Sequence, residues 1–145
     1  EWTLSQQTAN GFFRHASFDD APPYLHTMIY IVEGLLDAHD ETGDGRYRTA
    51  ALRFAEPLST AADRDGVLRS QYNGDFSVAN AETCMTGLAQ WAAVCVRLAK
   101  GADPTTWLPQ ADAPLAYLKQ HQIRCRREPL NDNASMSAGS EPRRR

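Results

Sequence analysis

The chain has 145 residues and a formal net charge of −3, with 42% hydrophobic and 23% charged residues. This length and balance suit one globular domain, and the small negative charge excludes a broad electrostatic attraction to nucleic acid. No apolar run approaches the roughly 20 residues that a membrane-spanning helix needs. Neither nucleic acid nor a membrane is therefore an expected partner.

The start of the chain and its cysteines bear on the compartment. No basic and apolar leader follows Glu1, so no signal peptide is visible and a cytoplasmic location is expected. Cys84, Cys95 and Cys125 form no Cys-x-x-Cys motif. We expect free thiols that behave as small buried hydrophobes, which favours a reducing compartment.

The N-terminal part predicts one long helix after a loop. Residues 2–9 are expected to end a helix that Asn10-Gly11 stops, and residues 12–22 are expected to form a loop. Apolar residues then recur at three- and four-residue spacing, which predicts a helix over residues 23–40.

The middle of the chain predicts a second helix and a long connection. The turn Gly43-Asp44-Gly45 precedes a one-sided apolar stripe, which predicts a helix over residues 45–62 that Pro57 kinks or ends. The connection over residues 63–80 carries Asp-Gly and Asn-Gly turn signals. It predicts a small hairpin near residues 67–79.

The C-terminal part predicts two further helices and a tail. Residues 81–100 are apolar around most of a helix circumference, so this helix should be buried on most sides. A fourth helix is predicted over residues 109–122. Residues 126–145 are rich in Asn, Ser, Pro and Arg and are expected to form a disordered tail, which leaves residues 1–125 as the domain.

Two similar units follow each other along the chain. Gly43-Asp44-Gly45 and Gly101-Ala102-Asp103 mark the same position in each unit, with a period near 58 residues. Each unit has a largely apolar helix followed by a helix with one wet face. This alternation predicts an all-α fold made of the inner and outer helices of an α/α toroid, here a partial ring of about two and a half hairpins.

Three short motifs resemble those of a known group of proteins. His26-Thr27-Met28-Ile29-Tyr30, followed by Glu33-Gly34-Leu35-Leu36, resembles an inner helix of bacterial six-hairpin toroid proteins. Asn10-Gly11-Phe12-Phe13 and the run from Cys84 to Gln90 resemble neighbouring motifs of that group. The resemblance spans residues 10–122. Since the group's rings hold more hairpins than this chain provides, we expect a fragment.

The resemblance implies a carbohydrate-active protein. The group is similar to six-hairpin glycosidases, polysaccharide lyases and uronyl epimerases, so it implies a hydrolase, lyase or epimerase. The implied ligand is a polysaccharide or a uronic-acid-containing glycan. The alternative is a non-catalytic helical-repeat module that binds a partner.

A polar row on the first long helix is the first candidate for chemistry. His26, Tyr30, Glu33 and Asp37 are spaced to share one side of that helix, where they could transfer protons inside a cup. A solvated helix face is the alternative. His26 and Tyr30 lie in the first two turns, so we predict that they form the floor of a cleft.

Residues of the two loops would form the rim of that cleft, because parallel inner helices place both preceding loops at one end. Paired carboxylates suit glycoside hydrolysis, although turn and cap chemistry is the simpler explanation of each one taken alone. The predicted catalytic residues are His26, Tyr30, Asp19, Asp20 and Asp75, and the predicted substrate-binding residues are His15, Tyr72 and Glu82.

The sequence also bears on cofactors and on self-association. The four histidines show no metal-ligand spacing, and no phosphate-binding glycine loop occurs, so no cofactor is expected. A ring cut after two hairpins would leave apolar helix flanks bare. We therefore expect the chain to associate with itself through Met28, Ile29, Leu88 and Trp91.

Overall fold

The computed structural model describes residues 1–101 and 104–122. The predicted tail, Cys125 and the Ala102-Asp103 part of the second repeat turn lie outside these residues. The chain is mostly helical, as predicted. Its elements in order are α1 (Trp2–Ser5), α2 (Leu25–Thr42), α3 (Gly45–Thr60), β1 (Gln71–Tyr72), β2 (Val78–Asn80), α4 (Met85–Ala99) and α5 (Pro104–His121).

Local signals explain where the helices begin and end. Helix α2 stops at Gly43, whose φ of 70° is left-handed and whose N–H bonds to the carbonyl of His39. The Asp44 side chain caps α3 by accepting the Arg46 N–H at 2.9 Å. Cys84 caps α4, and its Sγ accepts the Gly87 N–H at 3.4 Å.

Helix α5 begins five residues before its predicted start at residue 109. Pro104 occupies its first turn, where a missing N–H costs nothing. The added turn buries Trp107, whose ring lies 6.2 Å from that of Trp91 in an edge-to-face arrangement. The prediction was wrong because it placed a helix boundary at Pro109 and missed this aromatic contact.

The predicted hairpin is present but shifted along the chain. Strands β1 and β2 pair antiparallel, with Gln71 opposite Asn80 and a register irregularity beside it. Val67 and Leu68, predicted to be extended pieces of the hairpin, precede it as buried loop residues.

Helices α2 and α4 lie side by side and run parallel. His26 contacts Cys84, Glu33 accepts from Gln90, and Asp40 accepts from Arg97, and each pair is 57 or 58 residues apart. The constant offset means that both helices rise together from the same level. Helix α3 packs against α2, and α5 packs against α4. The predicted period near 58 residues thus matches the spacing along this α2–α4 seam.

The core lies among these four helices, and it overturns one prediction. Met28, Ile29, Leu88 and Trp91 were expected on a bare flank, but each is at most 1% exposed. The inner faces of the two hairpins cover each other, so these side chains are not exposed for contact with a second copy of the chain. Among the described residues, no helix has the length and apolarity that a membrane crossing requires.

Candidate functional site

The loops before α2 and α4 contact each other, as expected from parallel helices. The Leu25 N–H bonds to the Ser70 carbonyl at 2.7 Å. The Gln71 side-chain amide donates to the Pro22 carbonyl at 2.7 Å, and the Asn10 amide donates to the Gly74 carbonyl at 2.8 Å. These bonds hold the N-terminal loop and the start of α2 against β1 and the residues on either side of it.

A cleft of about 470 Å³ opens in the N-terminal loop beside Gly74. Three predicted site residues, His15, Asp19 and Asp20, line it together, and all three are exposed. The buried rings of Phe12 and Phe13 form its apolar part. Further polar groups come from Thr8, Asn10, Arg14 and Ser17.

Asp19 is held in a tight local turn. Its carboxylate accepts the Ser17 hydroxyl at 2.8 Å and the Ala21 N–H at 3.0 Å. The hydrogen bond from Ser17, followed by that from Ala21, lowers the pKa of Asp19. At neutral pH the side chain is therefore an ionised acceptor and holds no proton to donate.

A second, smaller groove adjoins the cleft. His15 and Ser17 line both, so the two depressions share a wall. The groove, about 280 Å³ in volume, is bordered by Phe18, which is fully exposed, and Tyr30, which is 59% exposed. His15 adopts a φ of 57°, a left-handed conformation that residues with a side chain rarely take.

His26 is not among the residues that line the cleft with Asp19 and Asp20. It lies on the first turn of α2, with its ring 5.7 Å from Tyr24 and 6.4 Å from Tyr30. The two residues predicted to form the floor of the cleft therefore lie in different places. Tyr30 borders the groove, whereas His26 faces Cys84.

The N-terminal segment, which carries most of the cleft, docks on α3. The Gln7 amide donates to the Ala50 carbonyl at 2.8 Å, and Arg53 donates to the carbonyls of Thr8 and Ala9. Gly11 meets the α3 backbone at Arg53 so closely that a Cβ would lie 2.0 Å from the carbonyl oxygen.

The three predicted rim residues of the second loop do not enter the cleft. Tyr72 is fully buried, its hydroxyl accepts the Arg69 N–H at 2.7 Å, and burial raises its pKa, so its side chain presents no surface to the cleft. Asp75 accepts the Ser77 hydroxyl and N–H, which lower its pKa, and Gly74 borders the cleft instead. Glu82 is exposed three residues before α4.

Cys84 has a structural position that the sequence analysis missed. It was treated as a small buried hydrophobe, yet it is partly exposed and caps α4 beside His26. The available signal was its place just before an apolar run, where Ser, Thr, Asp or Asn usually supplies the cap. Among the described residues, no group of three or more His, Cys, Asp or Glu side chains could hold a metal ion.

No protein-family model, curated protein or solved structure matches this chain. The resemblance to six-hairpin toroid proteins, and the carbohydrate chemistry that it implies, therefore stay predictions.

Proposed function

We propose that this chain binds a glycan along the cleft and the groove that share His15. The observation that carries the proposal is the junction of a hydrogen-bonding cleft with a groove bordered by two exposed rings, Phe18 and Tyr30. A sugar offers hydroxyl groups to carboxylates and an apolar C–H face to an aromatic ring. Concave sites with apolar walls and a few polar groups suit such ligands.

The charges of the cleft favour a neutral glycan over a uronic acid. Asp19 and Asp20 stand next to each other in sequence and are both exposed, and the lowered pKa of Asp19 keeps it negative. A carboxylate on the ligand would be repelled by this pair, and Arg14 supplies a single compensating guanidinium in the lining. Neutral sugar hydroxyls instead donate to the same oxygens.

The carboxylates support binding better than cleavage. Glycoside hydrolysis needs one carboxylic acid that keeps its proton until the leaving group takes it. Hydrogen-bond donors hold Asp19 in its ionised form with a lowered pKa, and Asp75 lies outside the cleft. Asp19 therefore acts in this proposal as a fixed acceptor for sugar hydroxyls, and the glycan leaves unchanged.

The test is calorimetric titration of the full chain with neutral and uronic oligosaccharides of equal length. We expect a neutral oligosaccharide to bind, and Phe18→Ala to weaken binding about tenfold by removing one stacking surface. Asp20→Asn should weaken the neutral ligand and improve binding of the uronic one. Leu108→Ala is the matched control, because it also removes an exposed apolar side chain but from α5.

Two results would count against glycan binding. One is that none of these oligosaccharides binds at millimolar concentration. The other is equal glycan affinity in the Phe18→Ala and Leu108→Ala variants, which would show that the aromatic groove is not part of the binding site.

A second candidate is an interaction module that associates with a second copy of itself. Helix α4 exposes a flank of Met85, Ala89, Ala93 and Val96, and α2 exposes Tyr30 and Gly34. Two copies placed in line would pair these flanks as parallel helices, continuing the α2–α4 seam from one chain into the next. Such head-to-tail contact is open-ended unless its rotation closes a ring.

A further inference from the structure

The N-terminus of α4 places a sulfur atom where helices usually carry an oxygen cap. Cys84 has extended backbone angles, φ −97° and ψ 98°, and its Sγ accepts the Gly87 N–H at 3.4 Å. The free N–H groups and the positive end of the helix dipole at this position favour negative charge. The N-terminus of α4 therefore points a hydrogen-bond donor, the Gly87 N–H, at the sulfur atom.

A second element brings an imidazole nitrogen to this sulfur. His26, from the first turn of α2, brings its Nδ1 within 3.6 Å of Sγ. Both residues are partly exposed, so small reagents can reach them. The α2–α4 seam thus assembles, from residues 58 apart in the chain, the three features of an activated thiol, namely a nucleophile, a base and a stabilising N–H.

We propose that Cys84 and His26 form a reactive thiol–imidazole pair, a modification site for small electrophiles such as hydrogen peroxide. This pair is separate from the glycan cleft, and neither proposal depends on the other. In the reaction, Nδ1 of His26 takes the proton from Sγ. The sulfur electron pair then attacks one peroxide oxygen, forming an S–O bond as the O–O bond breaks.

The products balance the reaction. The departing hydroxide takes the proton from the imidazolium and leaves as water, and Cys84 becomes a sulfenic acid. Sulfur is oxidised by two electrons and peroxide is reduced. The same activated sulfur displaces iodide from iodoacetamide, which makes alkylation a direct probe of the pair.

Cys95 provides an internal control within the same chain. It is fully buried in α4, and burial raises its pKa to about 12. It should stay unmodified in the folded protein and react only after denaturation. The comparison separates activation at Cys84 from the general reactivity of a thiol.

The experiment measures alkylation of the folded full chain by iodoacetamide at pH 7, with each cysteine followed by mass spectrometry. A Cys125→Ser background removes the third thiol. We expect Cys84 to react at least about tenfold faster than glutathione under the same conditions. His26→Gln should slow it about tenfold, and added imidazole should restore part of the lost rate, which a purely structural role would not do.

Peroxide should follow the same pattern, with a sulfenic acid trapped by dimedone at Cys84 and none in Cys84→Ser, which keeps an oxygen cap on α4. The proposal is overturned if Cys84 reacts no faster than glutathione, a comparison that needs no variant. It is also overturned if folded His26→Gln reacts as fast as the unaltered chain.

Discussion

Single carboxylates fix the turns of this molecule. Asp19, Asp44 and Asp75 each accept the backbone N–H of the residue two positions later. Side-chain donors reinforce each turn: the Ser17 hydroxyl for Asp19, the Arg46 guanidinium for Asp44 and the Ser77 hydroxyl for Asp75. Because these donors favour the charged form, all three carboxylates have lowered pKa values.

These three turns predict an acid-labile fold. The ordinary pKa of an aspartate is 3.8, and each of these carboxyls has a lower pKa in the folded chain. At acidic pH the folded chain therefore binds fewer protons at these groups than the unfolded chain does, and acid favours unfolding. The stabilising effect of each carboxyl is complete above its ordinary pKa and is lost as the pH falls through the folded-state pKa. We expect the midpoint of thermal unfolding, followed by circular dichroism, to be level from about pH 7 to 5 and to fall below about pH 4.

The Asp44→Asn variant tests how much of this acid sensitivity comes from Asp44. The amide keeps a cap oxygen for the Arg46 N–H but carries no charge to lose. The drop in midpoint between pH 5 and pH 3 should therefore be smaller than in the unaltered chain. An equal drop in both chains would show that Asp44 does not contribute to the acid sensitivity.

Residue chemistry was predictable from the sequence where partners are close in the chain. The turn given as the alternative for Asp75 and the turn predicted at Gly43-Asp44-Gly45 both depend on neighbours within two residues, and the structure has those bonds. Tyr72 and His26 could not be placed in this way. Their surroundings are set by packing among α2, α4 and the connection between α3 and β1, which no local pattern reports.

At the scale of elements, two glycines with opposite surroundings test how the N-terminal segment docks on α3. Gly11 has a φ of 95°, and a Cβ there would overlap the Arg53 carbonyl oxygen at 2.0 Å. Gly34 lies within α2, and a Cβ there would meet nothing within 4 Å. The same substitution to alanine should therefore have opposite signs at the two positions.

We expect Gly11→Ala to lower the free energy of unfolding by about 3 kcal/mol or more, through strain and a backbone clash. Gly34→Ala should raise it by about 0.5–1 kcal/mol, since alanine is the better helix former at an exposed position. Urea unfolding of both variants makes the comparison. If Gly11→Ala were neutral, the segment before Phe12 would not be packed on α3 in solution.

The helices could be predicted because the residues that form each apolar stripe in the sequence are the ones buried in the core. Leu25, Met28, Ile29, Val32 and Leu36 of α2 are all buried, as their three- and four-residue spacing indicated. Helix α5 was harder, since it contains Pro104, Pro109 and Pro114 and its spacing is weaker. The position of Trp107 against Trp91 decides where it starts, and that contact joins two helices.

At the scale of the whole molecule, the exposed flank of α4 predicts association between copies. Met85 and Val96 are exposed on α4, and Leu108 and Leu115 are exposed on α5. Light scattering across micromolar concentrations should show a mass that rises with concentration. Val96→Lys should hold the chain as a monomer, because a buried ammonium group at such a contact would lose its hydration.

Glu56→Lys is the matched control, since it also adds a lysine at an exposed helix position but on α3. It should associate as the unaltered chain does. A constant monomer mass in the unaltered chain would contradict head-to-tail pairing, and it would leave glycan binding unaffected.

The arrangement of the two hairpins was partly accessible from the sequence through the repeat. The period predicted that equivalent helices lie side by side, and the contacts of His26, Glu33 and Asp40 follow that spacing. The cleft could not be predicted from the sequence as one site. His15, Asp19 and Asp20 are neighbours in sequence, but Gly74 joins them through contacts such as the hydrogen bond from Asn10, which spans 64 residues.

The α2–α4 seam also predicts an order of folding. Helices α2 and α3 are separated only by Gly43 and Asp44, so that hairpin closes at once, and α4 and α5 are similarly close in sequence. Joining the seam must close a loop of 57 residues, which costs roughly 3–4 kcal/mol of chain entropy beyond a constant term. We therefore expect the two hairpins to form first and to dock afterwards, so that the thiol of Cys84 gains its imidazole neighbour only in the docking step.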